Sequence, residues 1–406
     1  MTSRYYAALG DFRSVELAKP SPQRVTLEVS TYAFARVQAL VQGAEGKQSF
    51  REIYKRVREK FDRYALSAGQ IKKRQLVFFP KLEDIRFENG EFDVAPPEHD
   101  YLELFRDRSD PKGVDLGVRH ESFGKIADQI FSRLYDNVQE PPDDLIHVTC
   151  SGYLAPSPAE KMVSRKSFLE TTVTHSYHMG CYGAFPAIRM AHGFLASSRL
   201  GVTRPKRQID IVHTELLSLH RDFMDLSAEN IITMTLFSDG FIKYGVFDEE
   251  ALRERNMRGL RILALDEHLL PDSLNDMSWT PGAHQFHMTL TVMTPVIIKK
   301  YVRDFMEKLF RLAGMNLDAD KDRVLFAIHP GGPKIVEHIQ AELGLRSEQT
   351  ATSSRIFLEN GNMSSATVPH ILKEMLESPE VPIGARIASV AFGPGLTVTG
   401  MVVEKI

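Results

Sequence analysis

Cysteine is scarce in this sequence: two residues in 406, too few for a disulfide framework. A reducing, cytoplasmic setting is the expected one. Neither sign of charge is in excess, since 50 Lys and Arg face 53 Asp and Glu. Nothing in that balance draws the whole chain to nucleic acid or an anionic membrane, and neither is expected as a partner. No run approaches the ~18 uninterrupted apolar residues of a membrane span. The opening MTSRYYAALGDF lacks the apolar core of a signal peptide. No G-x-G-x-x-G follows a strand-like run and no G-x-x-x-x-G-K-[ST] occurs, which removes dinucleotide and P-loop readings; G-x-S-x-G is missing too.

A hydrophobic fraction of 43% allows a substantial core and excludes disordered, collagen-like and coiled-coil classes. The length suits two or three domains, or two fused halves of one larger core. Strand-like runs alternate with helical ones, as in an α/β fold. Residues 25–34 (VTLEVSTYAF) open with strand-formers, and 48–66 carry a helical stripe of Phe50, Ile53, Tyr54, Val57, Phe61 and Leu66. Residues 80–118 are rich in charge, Pro and Gly and read as a surface excursion with a short helix around Tyr101–Arg106. Helical periodicity resumes at 120–137. Lys72-Lys73-Arg74 and Arg204-Pro-Lys-Arg207 read as solvated surface.

The chain also repeats a plan. LIHVTCSGYLAPSPAEKMV (145–163) is a buried strand, a small-residue loop and a helix, and VLFAIHPGGPKIVEHIQ (324–340) has the same order. Each is followed by a glycine and a polar residue opening a helix, Gly180-Cys181 and Gly361-Asn362, then by a further apolar strand, 209–217 and 387–398. This suggests a duplicated α/β module: residues 1–250 carrying Cys181, with the excursion near 80–118, and 251–406 carrying His329 and Asn362. Loops and helix N-termini beyond buried strands are where such folds place chemistry. That directs attention to Cys150, Cys181, His329 and Asn362.

Cys181 opens GCYGAFPAIRMAHGFLASS, where a helix N-terminus stabilises thiolate over thiol and makes a nucleophile. Free cysteine is equally a small buried hydrophobe, so placement alone leaves both readings open. His329 enters Pro-Gly-Gly-Pro at a strand end. It is suited to take a proton from a thiol or donate to an oxyanion, although strand-end histidines are often structural. Asn362 offers an uncharged amide donor, but Asn is a favoured N-cap and, taken alone, the cap reading is stronger. His175, His178 and Cys181 have metal-like spacing without an evident fourth ligand, and no metal is expected.

Ile328-His-Pro-Gly-Gly-Pro333, Gly361-Asn-Met-Ser-Ser-Ala366 and Phe392-Gly-Pro-Gly-Leu396, with Gly180-Cys-Tyr-Gly183 and Leu236-Phe-Ser-Asp-Gly240 upstream, resemble chalcone synthase and the other type III polyketide synthases. These belong to the thiolase-like condensing enzymes, so the resemblance implies a five-layer αβαβα fold of two duplicated halves. It implies a Cys181–His329–Asn362 triad: Cys181 takes an acyl group as a thioester, and His329 and Asn362 stabilise the enolate of a malonyl or β-ketoacyl partner. Phe237 and Phe286 match the family's gatekeeper phenylalanines, while Ser364 and Cys150 fall where the family lines its pocket. Lys60, Arg63 and Lys334 fall near basic positions that bind coenzyme A, with Ser67 at a third such position. Ser238 replaces a small glycine of the plant enzymes, and Ala155 a methionine that crosses their dimer interface.

The function implied is a homodimeric ketosynthase without metal or redox cofactor. It is fed by acyl-coenzyme A or acyl-carrier-protein thioesters and forms an α-pyrone or related polyketide. Passage of the acyl group from Cys181 to an alcohol or amine is the alternative, and a non-catalytic partner of a ketosynthase a third reading.

Overall fold

The computed structural model describes residues 6–43, 47–79, 85–88, 91–94 and 111–406. The helix expected around Tyr101–Arg106 lies outside the described residues. Among the described residues nine strands form one sheet: β1 (Ala7–Ser14), β2 (Asp144–Thr149), β3 (Thr172–Tyr177), β4 (Gln208–Glu215), β5 (Gly240–Asp248), β6 (Leu260–Leu269), β7 (Val324–Ile328), β8 (Arg386–Gly393) and β9 (Thr397–Lys405). Their spatial order is β7-β8-β9-β6-β1-β5-β4-β2-β3. One series of pairings occurs twice. β2 runs parallel to β4, which pairs antiparallel with β5 and β5 with β1. β7 likewise runs parallel to β8, which pairs antiparallel with β9 and β9 with β6. The two runs meet where β1 pairs with β6 through Ala8↔Arg261 and Leu9↔Leu260.

The helices that cover the sheet are α1 (Gln23–Val41), α2 (Lys47–Tyr64), α3 (Leu116–Tyr135), α4 (Pro158–Arg165), α5 (Ala184–Arg199), α6 (Ala228–Leu236), α7 (Thr294–Leu312), α8 (Ile335–Leu343), α9 (Ser347–Asn360) and α10 (Thr367–Glu377). Alternate residues of a strand point to opposite faces, which sorts the core into layers. Ile146 and Val148 of β2 and Ala327 of β7 turn inward onto Phe185 and Ile188 of α5 and Ile371 and Met375 of α10. Leu145 faces outward to Phe34, Phe61 and Phe131. In the second run Phe326 and Ile328 face outward to Phe305 and Leu309. Two central helices between two stretches of sheet, with helices outside both, give the five layers of the thiolase-like fold.

Two expectations need correction. Residues 25–34 are helical: Thr26, Val29, Ser30, Phe34 and Val37 are the buried positions of α1, a helical spacing whose burial overrides the β-branched preference. Arg74 is not solvated surface but fully buried, and Lys206 is nearly so, paired with Asp144 at 2.5 Å. Among the described residues no helix is long and apolar enough to cross a membrane.

Candidate active site

Cys181 sits in a 3-10 turn, Gly180–Tyr182, that runs straight into α5. Gly180 has φ +71°, and a Cβ there would lie 2.5 Å from Pro394, so the Gly-Pro-Gly turn between β8 and β9 packs on the thiol's own loop. Gly361 also has φ +71°, with a Cβ position 2.9 Å from the Leu236 carbonyl. Only glycine permits that approach, and it lets residues 236–238 and 362 pair as strands. Asn362 N–H donates to the Leu236 carbonyl (3.1 Å) and Ser238 N–H donates to the Asn362 carbonyl (2.9 Å). Ser364 N–H donates to Asn362 Oδ1 at 2.8 Å, which turns Nδ2 toward Cys181 Sγ, 4.0 Å away. Asn362 is therefore not simply an N-cap.

His329 follows β7, with its N–H donating to the Val390 carbonyl at 2.8 Å. Its ring is buried, and among the described residues no protein group bonds either ring nitrogen. Burial pulls the imidazole down to about 3, so it is a neutral base at working pH. Burial likewise pushes the Cys181 thiol up to about 12; Glu215 adds to this, while hydrogen bonds from Ser364 and Asn362 act in the opposite sense. The sequence suggested a depressed thiol pKa from the helix N-terminus. In the folded chain desolvation outweighs that term, and the resting pair is thiol and neutral imidazole.

Alkylation of Cys181 by iodoacetamide should therefore climb about tenfold per pH unit between about pH 6 and 9, because only the thiolate reacts. Glu215→Gln, which removes a charge opposing the thiolate, should accelerate it at each pH. Peptide mass mapping separates Cys181 from Cys150, and a plateau starting near pH 6 would contradict this resting state.

Cys181, His329 and Asn362 line one cavity of about 510 Å³, together with Phe237. Leu66, Leu236, Met288 and Ile298 make its walls apolar, and Arg63 and Lys334 stand at its exposed end. Cys150, Ser364, Phe286 and Lys60, also singled out in the sequence, lie off this wall. Cys150 Sγ bonds Glu215 Oε2 (3.2 Å) and Ser364 Oγ (3.3 Å) in the adjoining interior. Phe286 stacks on His220 with centroids 4.3 Å apart and also meets Trp279 edge-on. Lys60 is exposed and donates to the Leu226 carbonyl at 3.0 Å. His175 bonds Ser157 and His178 bonds the Trp279 carbonyl, and among the described residues no His, Cys, Asp or Glu trio is grouped to hold a metal.

Glu215 escaped the sequence reading. It accepts from Cys150 and, through Oε1, from Ser365, and burial raises its pKa. A carboxylate ending the apolar run IDIVHTE was the available signal, since a lone buried charge needs a reason. Trp279 and His220 were also passed over, and Arg74 was read as surface.

The layered fold is that of the thiolase-like enzymes, and it brings a thiol, an imidazole and an amide to one cavity. Residues 264–406 match the chalcone and stilbene synthase C-terminal domain, and the chain resembles the type III polyketide synthases within that class. A probable polyketide synthase 1 of Dictyostelium discoideum is 25% identical over 266 residues, 64% of this chain and 8% of that protein. The 1,3,6,8-tetrahydroxynaphthalene synthase of Streptomyces coelicolor is 27% identical over 256 residues, 63% of this chain and 64% of that one. Among solved structures, the C-terminal type III polyketide synthase domain of Steely1 from Dictyostelium superposes with TM-score 0.74 at 21% identity, over 99% of both chains.

Proposed function

We propose that the chain is a ketosynthase that loads an acyl group on Cys181 and condenses it with a malonyl or β-ketoacyl thioester. The observation that carries this is the convergence, in one largely apolar cavity, of a thiol, an imidazole with no protein partner and an amide oriented toward the thiol. In loading, Cys181 Sγ attacks the thioester carbonyl as its proton passes to His329, and the departing thiolate takes that proton. The Cys181 S–acyl bond forms as the donor's C–S bond breaks. The second thioester then loses CO2, or gives an α-proton to His329, and its enolate oxygen is held by the Asn362 amide and His329. Attack of that carbanion on the acyl carbonyl makes the carbon–carbon bond and frees Cys181.

Arg63 and Lys334 suit the phosphates of coenzyme A or of a carrier protein's phosphopantetheine arm. Two features favour the carrier protein. α2, which ends at the mouth with Arg63, carries seven basic and three acidic residues. Val292 (89% exposed) lines the same cavity as Arg63, and Val296 (55%) follows it on α7, an apolar rim for a helical, acidic partner. Among the described residues strand β3 ends the sheet, pairing only with β2, and a second copy adding there would give the homodimer. A pyrone closed from two joined β-ketoacyl chains suits a cavity whose adjoining interior is filled.

Intact-protein mass spectrometry after incubation with acyl-coenzyme A and acyl-carrier-protein donors tests the reading. Wild type should gain the acyl mass and Cys181→Ala should not. Products should carry a new carbon–carbon bond; an unlengthened ester or amide would make the chain a simple acyltransferase. Unshifted wild type across the panel, or equal labelling of Cys181→Ala, overturns the nucleophile.

A further inference from the structure

Arg74 is fully buried, and its guanidinium is spent on backbone and neutral side chains. Nη1 donates to the carbonyls of Phe237 (2.5 Å) and Met234 (2.9 Å), Nε to Gln23 Oε1 (2.8 Å) and Nη2 to Thr26 Oγ1 (3.2 Å). None of these acceptors is a carboxylate. A guanidinium remains charged, and burying one is costly unless well-made hydrogen bonds or an opposing charge compensate the lost water. Its stem also lies against Gly361, 3.1 Å from where a Cβ would sit.

The contact with Phe237 leads directly to Asn362. Phe237 and Asn362 form a parallel β-bridge. The peptide whose carbonyl accepts from Arg74 is the one whose N–H, on Ser238, donates to the Asn362 carbonyl. The peptide beyond, Met363 N–H, donates to Thr367 Oγ1 at 2.9 Å. A cation, two peptide units and a hydroxyl thus form one hydrogen-bonded chain, and each bond polarises the next. Met234 and Phe237 straddle the end of α6, so the same fork fixes the turn that delivers Phe237 to the cavity wall.

We infer that Arg74 is a positioning residue for the condensation step: it locks residues 234–238 so that the Asn362 amide and the Phe237 ring stand in fixed register to Cys181. This rests on the enolate-stabilising role given to Asn362 above. Loading of Cys181 uses the thiol and His329 and should depend on Arg74 far less than decarboxylation of the malonyl thioester does.

The test compares wild type, Arg74→Met, Arg74→Lys, Asn362→Ala and the double variant Arg74→Met/Asn362→Ala. Cys181 acylation is followed by intact mass, and CO2 release from a malonyl thioester is followed separately. Arg74→Met should lower decarboxylation by about tenfold or more while acylation changes less than about threefold. Arg74→Lys, keeping the cation but losing the fork, should recover part of the loss. If Arg74→Met does not accumulate as folded protein, Arg74→Lys carries the same comparison. In the Asn362→Ala background, Arg74→Met should cost nothing further. Equal losses in both steps, or a further tenfold loss on top of Asn362→Ala, would mean that Arg74 serves stability alone. Asn362→Ala leaving decarboxylation unchanged would instead remove the role assigned to Asn362, and the inference with it.

Discussion

Asn362→Ala should load Cys181 at close to the wild-type rate and lose condensation by about 10²–10³-fold, the effect of removing one preorganised oxyanion donor. The two steps separate because they use different atoms. Acylation needs the Cys181 sulfur and a proton acceptor, and His329 is a neutral base with no protein partner on either ring nitrogen among the described residues. In the proposed reaction Asn362 enters when charge builds on the enolate oxygen. Its Nδ2 is already aimed, because Oδ1 is held by Ser364 N–H at 2.8 Å, so no reorganisation is needed at that moment. Acyl-enzyme should then accumulate in Asn362→Ala and be visible as a persistent mass shift under turnover conditions. Equal slowing of loading would place the amide in the first step. Asn362→Asp should be as poor as the alanine variant, since a carboxylate repels the enolate.

Trp279→Ala should lengthen the product. Behind the cavity, Trp279, Phe286 and His220 form one aromatic block: Phe286 stacks on His220, and Trp279 meets both edge-on. Trp279 is the cross-strand partner of Met288, which lines the cavity, and its Nε1 donates to the Cys150 carbonyl at 2.7 Å. In an antiparallel pair such partners share a face, so Trp279 stands directly beside the cavity wall. Removing the indole should join the cavity to the space near Cys150 and let the chain extend again before it closes. Chromatography with mass detection should show products larger by whole two-carbon units, with the shorter product diminished. The variant should also lose stability, by less than the ~3–5 kcal/mol typical of a fully buried aromatic, because Trp279 is only partly buried. An unchanged product in a folded variant would mean that the block does not limit extension.

The duplicated α/β plan was legible because it depends on local pattern. Buried strands ending at Thr149 and Ile328 read as apolar runs, and each glycine before Cys181 and Asn362 marked a backbone approach that other residues do not allow. What failed to show depends on distant partners. Arg74 follows two lysines and looks like surface, yet its acceptors come from residues 23–26 and 234–237. The strand-formers at 25–34 fold as helix because the faces that bury them belong to elements far along the chain. The thiol's protonation was misjudged for the same reason: the helix N-terminus is local, whereas the desolvation and the Glu215 charge that outweigh it come from tertiary packing.

The bridge between Phe237 and Asn362 ties a wall residue to a donor amide. Under the proposed function, selectivity and turnover consequently share one piece of backbone. A substitution at Phe237 made to admit a different acyl chain also strains the strand that carries Asn362. Retuning this pocket for new products therefore requires changes made in concert, and a wall position that packs in a different cluster, such as Ile298, is one free to vary by itself.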